Sequence, residues 1–546
     1  AIVTTSTSAT SIGGTTIDVA SSVGFYPGMG ISVATDSAYD NHSGYGSTVV
    51  SVVGNTITVT PAWTKVVASG NIVFSHTGAM IGGANDVIIE TCNFDGNRYN
   101  NDYSYDWRFN STVSLGSSSS GTIVHYNYFE NTPNENIFVS QNDNIIDKNK
   151  YHSLAGSFVH ITTASENANQ TIQITNNTGD SSNVITNTMS GHSEAVITYS
   201  NYSVNLKLKD NDFRNPGAGA YIFSPMGTDD YSFWVEGNYF SNYANIITSS
   251  EATSDRKDFV IRNNTFVLCG DILLRGTDLT TNKRLDKISI EGNTFTRTRM
   301  AFYNVTNLSI SNNTIIMPLG TTASSYYTSA LNSSAPGIIG FGSGYYDNVK
   351  IVNNTIVGDT LVSAFVQAGI YFAVNPARGT GFNAKLYYPQ GINVSFNQID
   401  QLRYGIAMVD YGTSVLTKQC VNWEFSHNQV TLTRDSSYLL SNAGYGIIAY
   451  PGVVAKNNTC RSQLRMNNSI PMVLYGIDES AGVDTSALHG AIAKNNVLIG
   501  VNRSLMISTN SSNTLNQYNC IAESNTLIGA DAINYTNYNS VGHRSY

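Results

Sequence analysis

The chain of 546 residues carries 29 Lys and Arg against 38 Asp and Glu, a net charge of −9, and is 41% hydrophobic but only 12% charged. A typical soluble protein is about 25% charged; here Asn, Ser, Thr and Gly supply the polar surface, and the hydrophobic share with 33 tyrosines excludes a disordered chain. The lack of a basic run argues against nucleic acid as a partner, and no apolar stretch reaches the roughly 18 residues of a membrane span.

Such a balance fits an extracellular β-rich protein. The chain starts at Ala1 with no charged-then-apolar leader, which points to processing, trimming or export within a larger particle. Its five cysteines, Cys92, Cys269, Cys420, Cys460 and Cys520, are far apart with no CxxC pair, so they read as buried thiols rather than a zinc or redox site.

Residues 1–80 come first. TTIDVASSVGFYPGMGISV (15–33) and STVVSVVGNTITVTPAW (47–63) predict a small antiparallel β module with Gly and Pro turns, placed to cap the repeats that begin after it. From residue 81 to 546 one pattern recurs: an apolar strand, an asparagine, then a small or apolar residue. TIVHYNYF (122–129), VIRNNTF (260–266), ISIEGNTF (288–295), LSISNNTI (308–315), VKIVNNTI (349–356) and VVAKNNT (453–459) are examples. The phase markers are Asn93, Asn127, Asn149, Asn177, Asn211, Asn238, Asn264, Asn293, Asn313, Asn354, Asn397, Asn428, Asn458, Asn496 and Asn525, spaced by about 31 residues on average.

A second strand follows each marker, as in SFVHITT (157–163), SEAVITY (193–199), AYIFSP (220–225), DILLRG (271–276), AGIYFAV (368–374) and YGIIAY (445–450). Short strands that each pair with their own copy one turn along make a parallel β-helix of about 15 coils. Asparagine is a poor strand residue, but at a corner it tolerates left-handed geometry. Stacked at about 4.8 Å, its amides form a hydrogen-bonded ladder. The repeated Asn is therefore expected to be the corner of each coil.

With its N-N-T-F runs, short strands and low charge, the chain resembles the right-handed parallel β-helix proteins of the pectate-lyase-like superfamily, bacteriophage tailspikes and polysaccharide depolymerases in particular. The resemblance covers about residues 80–533, and extends weakly to the N-terminal module. It implies a virion-tail or secreted protein, a homotrimer in many tailspikes, that attaches to a host cell and cleaves its O-antigen or capsule. A polysaccharide lyase and a non-enzymatic adhesin or structural rod are the alternatives, since the repeat explains the fold without any active site. The tail NYTNYNSVGHRSY (534–546) shows no further domain pattern.

Candidate chemistry lies on outward strand faces and on loops that widen the repeat. The loop NFDGNRYNNDYSYDWRFN (93–110) offers Asp95, Arg98, Trp107 and Arg108 for sugar rings and hydroxyls, or packs on its own scaffold or a neighbouring subunit. In the second strand column, alternation turns His160 outward between Val159 and Ile161, and Arg275 outward with Asp271 and Leu273. Glu194 with His192, then Glu130, Glu135, Asp229 and Asp230, form a band of acids on neighbouring coils. One or two coil rises match the carboxyl spacings of glycoside hydrolysis, about 5 Å for retention and about 6.5–9.5 Å for inversion. The AYIFSP strand, with Tyr221 beside Ile222, and Trp234, alternating with Phe233, are further candidates to line a groove, as are Tyr345 and Tyr346 before Asn354. No cofactor is expected; QNDN (141–144) with Asp147 could gather oxygens for calcium, but turn chemistry is the better reading.

Overall fold

The structure, a computed structural model, describes residues 3–27, 29–34, 47–75, 79–81, 84–95, 112–115, 120–130, 136–139, 143–152, 157–161, 170–180, 196–199, 204–215, 221–226, 232–243, 245–248, 258–275, 285–317, 337–342, 346–358, 368–373, 389–400, 402, 404–409, 420–432, 444–462, 469–478, 490–500, 503–508, 517–518, 520–529, 531–536 and 544–545. Among them every regular element is a β-strand. The chain divides into two compact units, Ala1–Gly227 and Thr228–Tyr546.

The first unit opens with a six-stranded antiparallel sheet in the order Val3–Thr5, Ile72–Ser75, Gly30–Ala34, Ser47–Val53, Thr56–Thr60 and Thr16–Asp18. Alternate residues of these strands, among them Ile31, Val33, Ile57, Val59 and Val73, close over a core that includes Trp63. The remainder is parallel. Three strands per coil, each bonded to its counterpart on the next coil, build three stacks. Sheet 1 runs from Ala79–Ile81 to Tyr221–Met226, sheet 2 from Ile88–Glu90 to Val204–Lys209, and sheet 3 from Asn93–Asp95 to Asp212–Arg214.

The second unit repeats the plan. Its sheet 1 runs from Asn245–Thr248 to Asp531–Thr536, sheet 2 from Ser232–Glu236 to Arg544–Ser545, and sheet 3 from Tyr239–Ser241 to Thr526–Ile528. A short antiparallel pair, Ile477–Asp478 with Gln517–Tyr518, departs from it. The chain is thus an all-β parallel β-helix behind a small antiparallel sheet. Inward residues stack in register: the phenylalanines of the N-T-F motif, Phe240, Phe266 and Phe295, lie 5.3 and 4.9 Å apart with nearly parallel rings. Apolar rings repeated at the coil rise leave no void between coils.

The asparagines divide two jobs that the sequence pattern joins. The phase-marker Asn is the buried one, 0–2% exposed from Asn127 to Asn211 and from Asn238 to Asn496. In Asn313, the backbone N–H and the Nδ2 both donate to Oδ1 of Asn354 on the next coil (3.0 and 2.9 Å), and Nδ2 also donates to the Ile290 carbonyl of the preceding one (2.8 Å). The same bonds link Asn127 through Asn211 in the first unit and Asn238 through Asn525 in the second.

The left-handed corner is the residue just before the marker: Tyr126, Lys148, Asn176, Asp210, Asn263, Asn312, Asn353, Phe396, His427, Asn457, Asn495 and Ser524 all have φ between 53° and 57°. An N-N doublet therefore places one Asn in the strained corner and the other in the ladder. The register also corrects the first marker. Thr91 is the corner of that coil (φ 55°), so Cys92 holds the ladder place, its N–H donating to Asn127 Oδ1 at 3.0 Å, and Asn93 is exposed.

Candidate functional site

Sheet 1 was expected to present its outward residues to solvent; among the described residues several of them are buried instead. His160 lies in the outward register, paired with Phe138, yet is 1% exposed, its ring 5.2 Å from that of Phe138. Leu273 is 2% exposed. Asp271, expected to face out beside Arg275, is buried and forms a two-pronged ion pair with buried Arg299 at 2.8 and 2.7 Å. Arg275 ends the strand Asp271–Arg275. Along the second unit Ala301, Tyr371, Ala407 and Val473 continue the same outward column, all at 1–2% exposure. Position 222 is also core: Ile222 is 2% exposed in the strand Tyr221–Met226.

Trp234 does alternate with a core Phe233, but its outer face is taken. The Arg262 guanidinium sits 4.4 Å from the Trp234 ring, and Glu236 accepts bonds from Trp234 Nε1 (2.9 Å) and Arg262 Nε (2.9 Å). Tyr346 is 0% exposed, donating its hydroxyl to the Ala373 carbonyl at 3.1 Å, so it is core and not a wall. Asp147 accepts from Thr175 (2.7 Å) and Asn176 (2.9 Å). Burial raises its carboxyl, but these bonds and Lys148 outweigh burial and hold it below the usual range. Asn144 opens the strand Asn144–Asp147 as a buried acceptor for the Thr122 N–H. Glu135, Glu194, His192, Asp229, Asp230, Arg98, Trp107 and Arg108 lie outside the described residues.

Ionisable side chains gather instead on sheet 3 of the first unit. Register puts Asn93, Tyr128, Lys150, Thr178 and Asp212 in one outward column, and Asp95, Glu130, His152, Asp180 and Arg214 in the next. Of the predicted residues, Glu130 falls in this column, as does Asp95 by its backbone position. Between the columns runs the inward one, Phe94, Phe129, Tyr151, Gly179 and Phe213. Gly179 is required there: a Cβ would lie 2.0 Å from ring atoms of Tyr151. The Tyr151 ring fills the space, stacking 4.8 Å from Phe158 and 5.6 Å from Phe213.

Over this floor lies an open groove of about 300 Å³ lined by Tyr128, Lys150, His152, Thr178, Asp180, Asp212 and Arg214. Arg214 grips Asp212 with two bonds of 2.7 Å, and Asn215 Nδ2 donates to Asp180 at 3.2 Å, so this end of the groove is fixed. Partial burial, then the charge and hydrogen bond of Glu130, push the Tyr128 hydroxyl up from its ordinary value and keep it protonated. Glu130 and Asp180 share one column two coils apart, with His152 between them. Two rises correspond to ~9.6 Å between backbones, near the upper end of the carboxyl separation of about 6.5–9.5 Å at which inverting hydrolysis leaves room for a water.

Sheet 3 of the second unit shows how unusual this is. Its outward columns read Tyr239, Thr265, Thr294, Thr314, Thr355 and Ser241, Val267, Thr296, Ile316, Val357 over the first five coils, with no ionisable carboxylate or cation. The sequence did carry the signal. Residues one and three places after each ladder Asn are the outward ones; after Asn127, Asn149 and Asn211 these are Tyr and Glu, Lys and His, Asp and Arg. Among the described residues no three His, Cys, Asp or Glu converge as a metal site.

No protein-family model matches the chain, and no curated protein matches it in sequence. Solved structures that match the chain include the tailspike of Acinetobacter baumannii bacteriophage AP22 in complex with A. baumannii capsular saccharide (11% identity, 86% of this chain and 66% of that chain, TM-score 0.30). Others are the tailspikes of Pseudomonas phage LKA1 (13%, 97% and 65%, TM-score 0.17) and Pseudomonas phage phi297 (11%, 97% and 64%, TM-score 0.19). The chain spans 64–66% of the length of these structures. The fold itself rests on the strand pairing of the three stacks.

Proposed function

We propose that this protein is a tailspike-type depolymerase that binds a bacterial surface polysaccharide, O-antigen or capsule, along sheet 3 of its first unit and cleaves it by glycoside hydrolysis. The observation that carries the reading is the column Glu130, His152, Asp180 and Arg214, the last three of them lining an open groove, set against the uncharged first five coils of the second unit's sheet 3. One carboxyl protonates the glycosidic oxygen while the other draws a proton from water attacking the opposite face of the ring, which inverts the anomeric centre. Tyr128 and Lys150 hold hydroxyls, and the Arg214–Asp212 pair walls one end. The virion tail and a homotrimer are the setting that goes with this reading.

The test is incubation of the chain with capsules and O-antigens from candidate host bacteria, with mass spectrometry of released oligosaccharides and NMR of the first-formed anomer. Saturated products of inverted configuration are expected. Glu130→Gln and Asp180→Asn should each lower turnover about 10²–10⁴-fold while leaving binding in place. Products bearing a uronate double bond would replace hydrolysis by elimination, with His152 and Lys150 as the bases to test. If both variants cleave normally, the chemistry belongs to the loop acids Glu135, Glu194, Asp229 and Asp230. Binding without release from any strain would leave an adhesin.

A further inference from the structure

In the second unit the left-handed corner before each ladder Asn is filled, coil after coil, by Gly237, Asn263, Gly292, Asn312 and Asn353, and at the far end by Asn457, Asn495 and Ser524. Glycine and asparagine are the residues this geometry suits. Two adjacent coils place aromatic rings there instead. Phe396 (φ 57°) and His427 (φ 56°) hold rings at the corner, stacked at 4.6 Å with 9° between planes, and Phe396 is 56% exposed.

A bulky residue with positive φ is an outlier, and strain of this kind marks sites where something other than stability selected the residue. The ring spacing is close to the coil rise of about 4.8 Å, so the pair stacks coil on coil. His427 stacks on one face of Phe396, and the corner of the preceding coil holds the shorter, exposed Asn353. His427 is fixed in turn by Asn457, whose Nδ2 lies 3.1 Å from its Nε2.

The surroundings decide what the open face fits. Gln429 and Asn353 are exposed amides, Gln398 is exposed with its Nε2 donating to Asp400 (2.7 Å), Asn457 is exposed beside His427, and Glu424 is engaged by Lys456 (2.7 Å) and Ser426 (2.7 Å). Among the described residues here there is no continuous apolar surface of the kind a protein partner needs. A single ring face in a field of amides is the arrangement that takes a pyranose, C–H edges on the ring and hydroxyls on the amides.

We infer that Phe396, backed by His427, is a saccharide-stacking platform, a binding site of the second unit separate from the sheet 3 groove of the first. It takes neutral pyranosides that present three C–H groups on one face, the galacto configuration above all. It performs no chemistry and so does not depend on the cleavage reading.

Saturation-transfer NMR on the full chain with methyl β-galactopyranoside, and with glucuronate as the acidic comparison, tests this. Transfer to H3, H4 and H5 of the galactoside is expected. Phe396→Ala should lower it at least about fivefold and Phe396→Trp should retain it. The Glu130→Gln/Asp180→Asn double variant should keep the Phe396-dependent part. Thermal unfolding of each variant guards against a folding defect, and the exposed ring predicts none for Phe396→Ala. Equal transfer in wild type and Phe396→Ala overturns the inference. So does a change confined to sedimentation, with the sugar signal intact, which would assign the ring to a contact between copies.

Discussion

Asn312 and Asn313 are neighbours in sequence with opposite physics. Asn313 is 1% exposed and satisfies both adjacent coils through its amide. Alanine there strands a carbonyl of the preceding coil and N–H groups on it, and each stranded buried group costs about 1–3 kcal/mol. Asn313→Ala is therefore expected to destabilise the chain by about 3 kcal/mol or more in urea unfolding. Asn312 sits at φ 57° outside the ladder, where Asn312→Gly should stay within about 0.5 kcal/mol and Asn312→Val should lose about 1–2 kcal/mol. Equal losses at the two positions would mean that the ladder and the corner are not separate roles. The doublet was legible in the sequence, but not which Asn did which, because both tasks select the same residue for different reasons.

At the scale of the strand, Gly179 and Tyr151 act as one packing unit beneath the groove. The inward column offers an aromatic at every coil except Gly179, and Tyr151 takes the vacated space, 5% exposed against Phe158 and Phe213. Gly179→Ala forces its Cβ into that ring and should cost about 1–3 kcal/mol, as overpacking does. Adding Tyr151→Leu should restore most of the loss by freeing the space. A Gly179→Ala chain that melts like wild type would show that the Tyr151 ring swings away at no cost. The strand alternation was readable from sequence; the burial of several outward residues of sheet 1 was not. Its buried outward residues Leu273, Tyr371 and Val473 are apolar enough to have signalled it, whereas His160, equally buried, gave no such sign.

Across the whole chain, four of five cysteines are buried. Burial alone pushes Cys460 far up, and burial pushes Cys269, Cys420 and Cys520 to about 12 from 9.0 against weaker opposing contacts. Buried Tyr346 is likewise raised well above 10.0 by burial. In the native protein one thiol, that of Cys92, should react quickly with a disulfide reagent at pH 8, and the other four only after unfolding. The folded state holds these protons more tightly than the unfolded one, so their contribution to stability is complete below about pH 9 and is lost as pH rises toward about 12. Urea midpoints under reducing conditions should fall between pH 9 and 11, and less steeply in Cys460→Ala. A flat profile would mean that the thiols are not desolvated.

Sequence by itself determined the parallel β-helix. The helix needs the same residues at the same phase on every coil, and a one-dimensional period records that repetition whatever the loops between do. It also determined the thiols' apolar character and the small antiparallel module, since alternation and turn residues are local. Tertiary structure alone decided which outward columns are open. Exposure of a strand face depends on what packs over it, and that is set by segments distant in sequence. So Tyr128, Glu130, His152, Asp180 and Arg214 became neighbours through register across four coils, while His160 and Asp271, similar on the page, were buried.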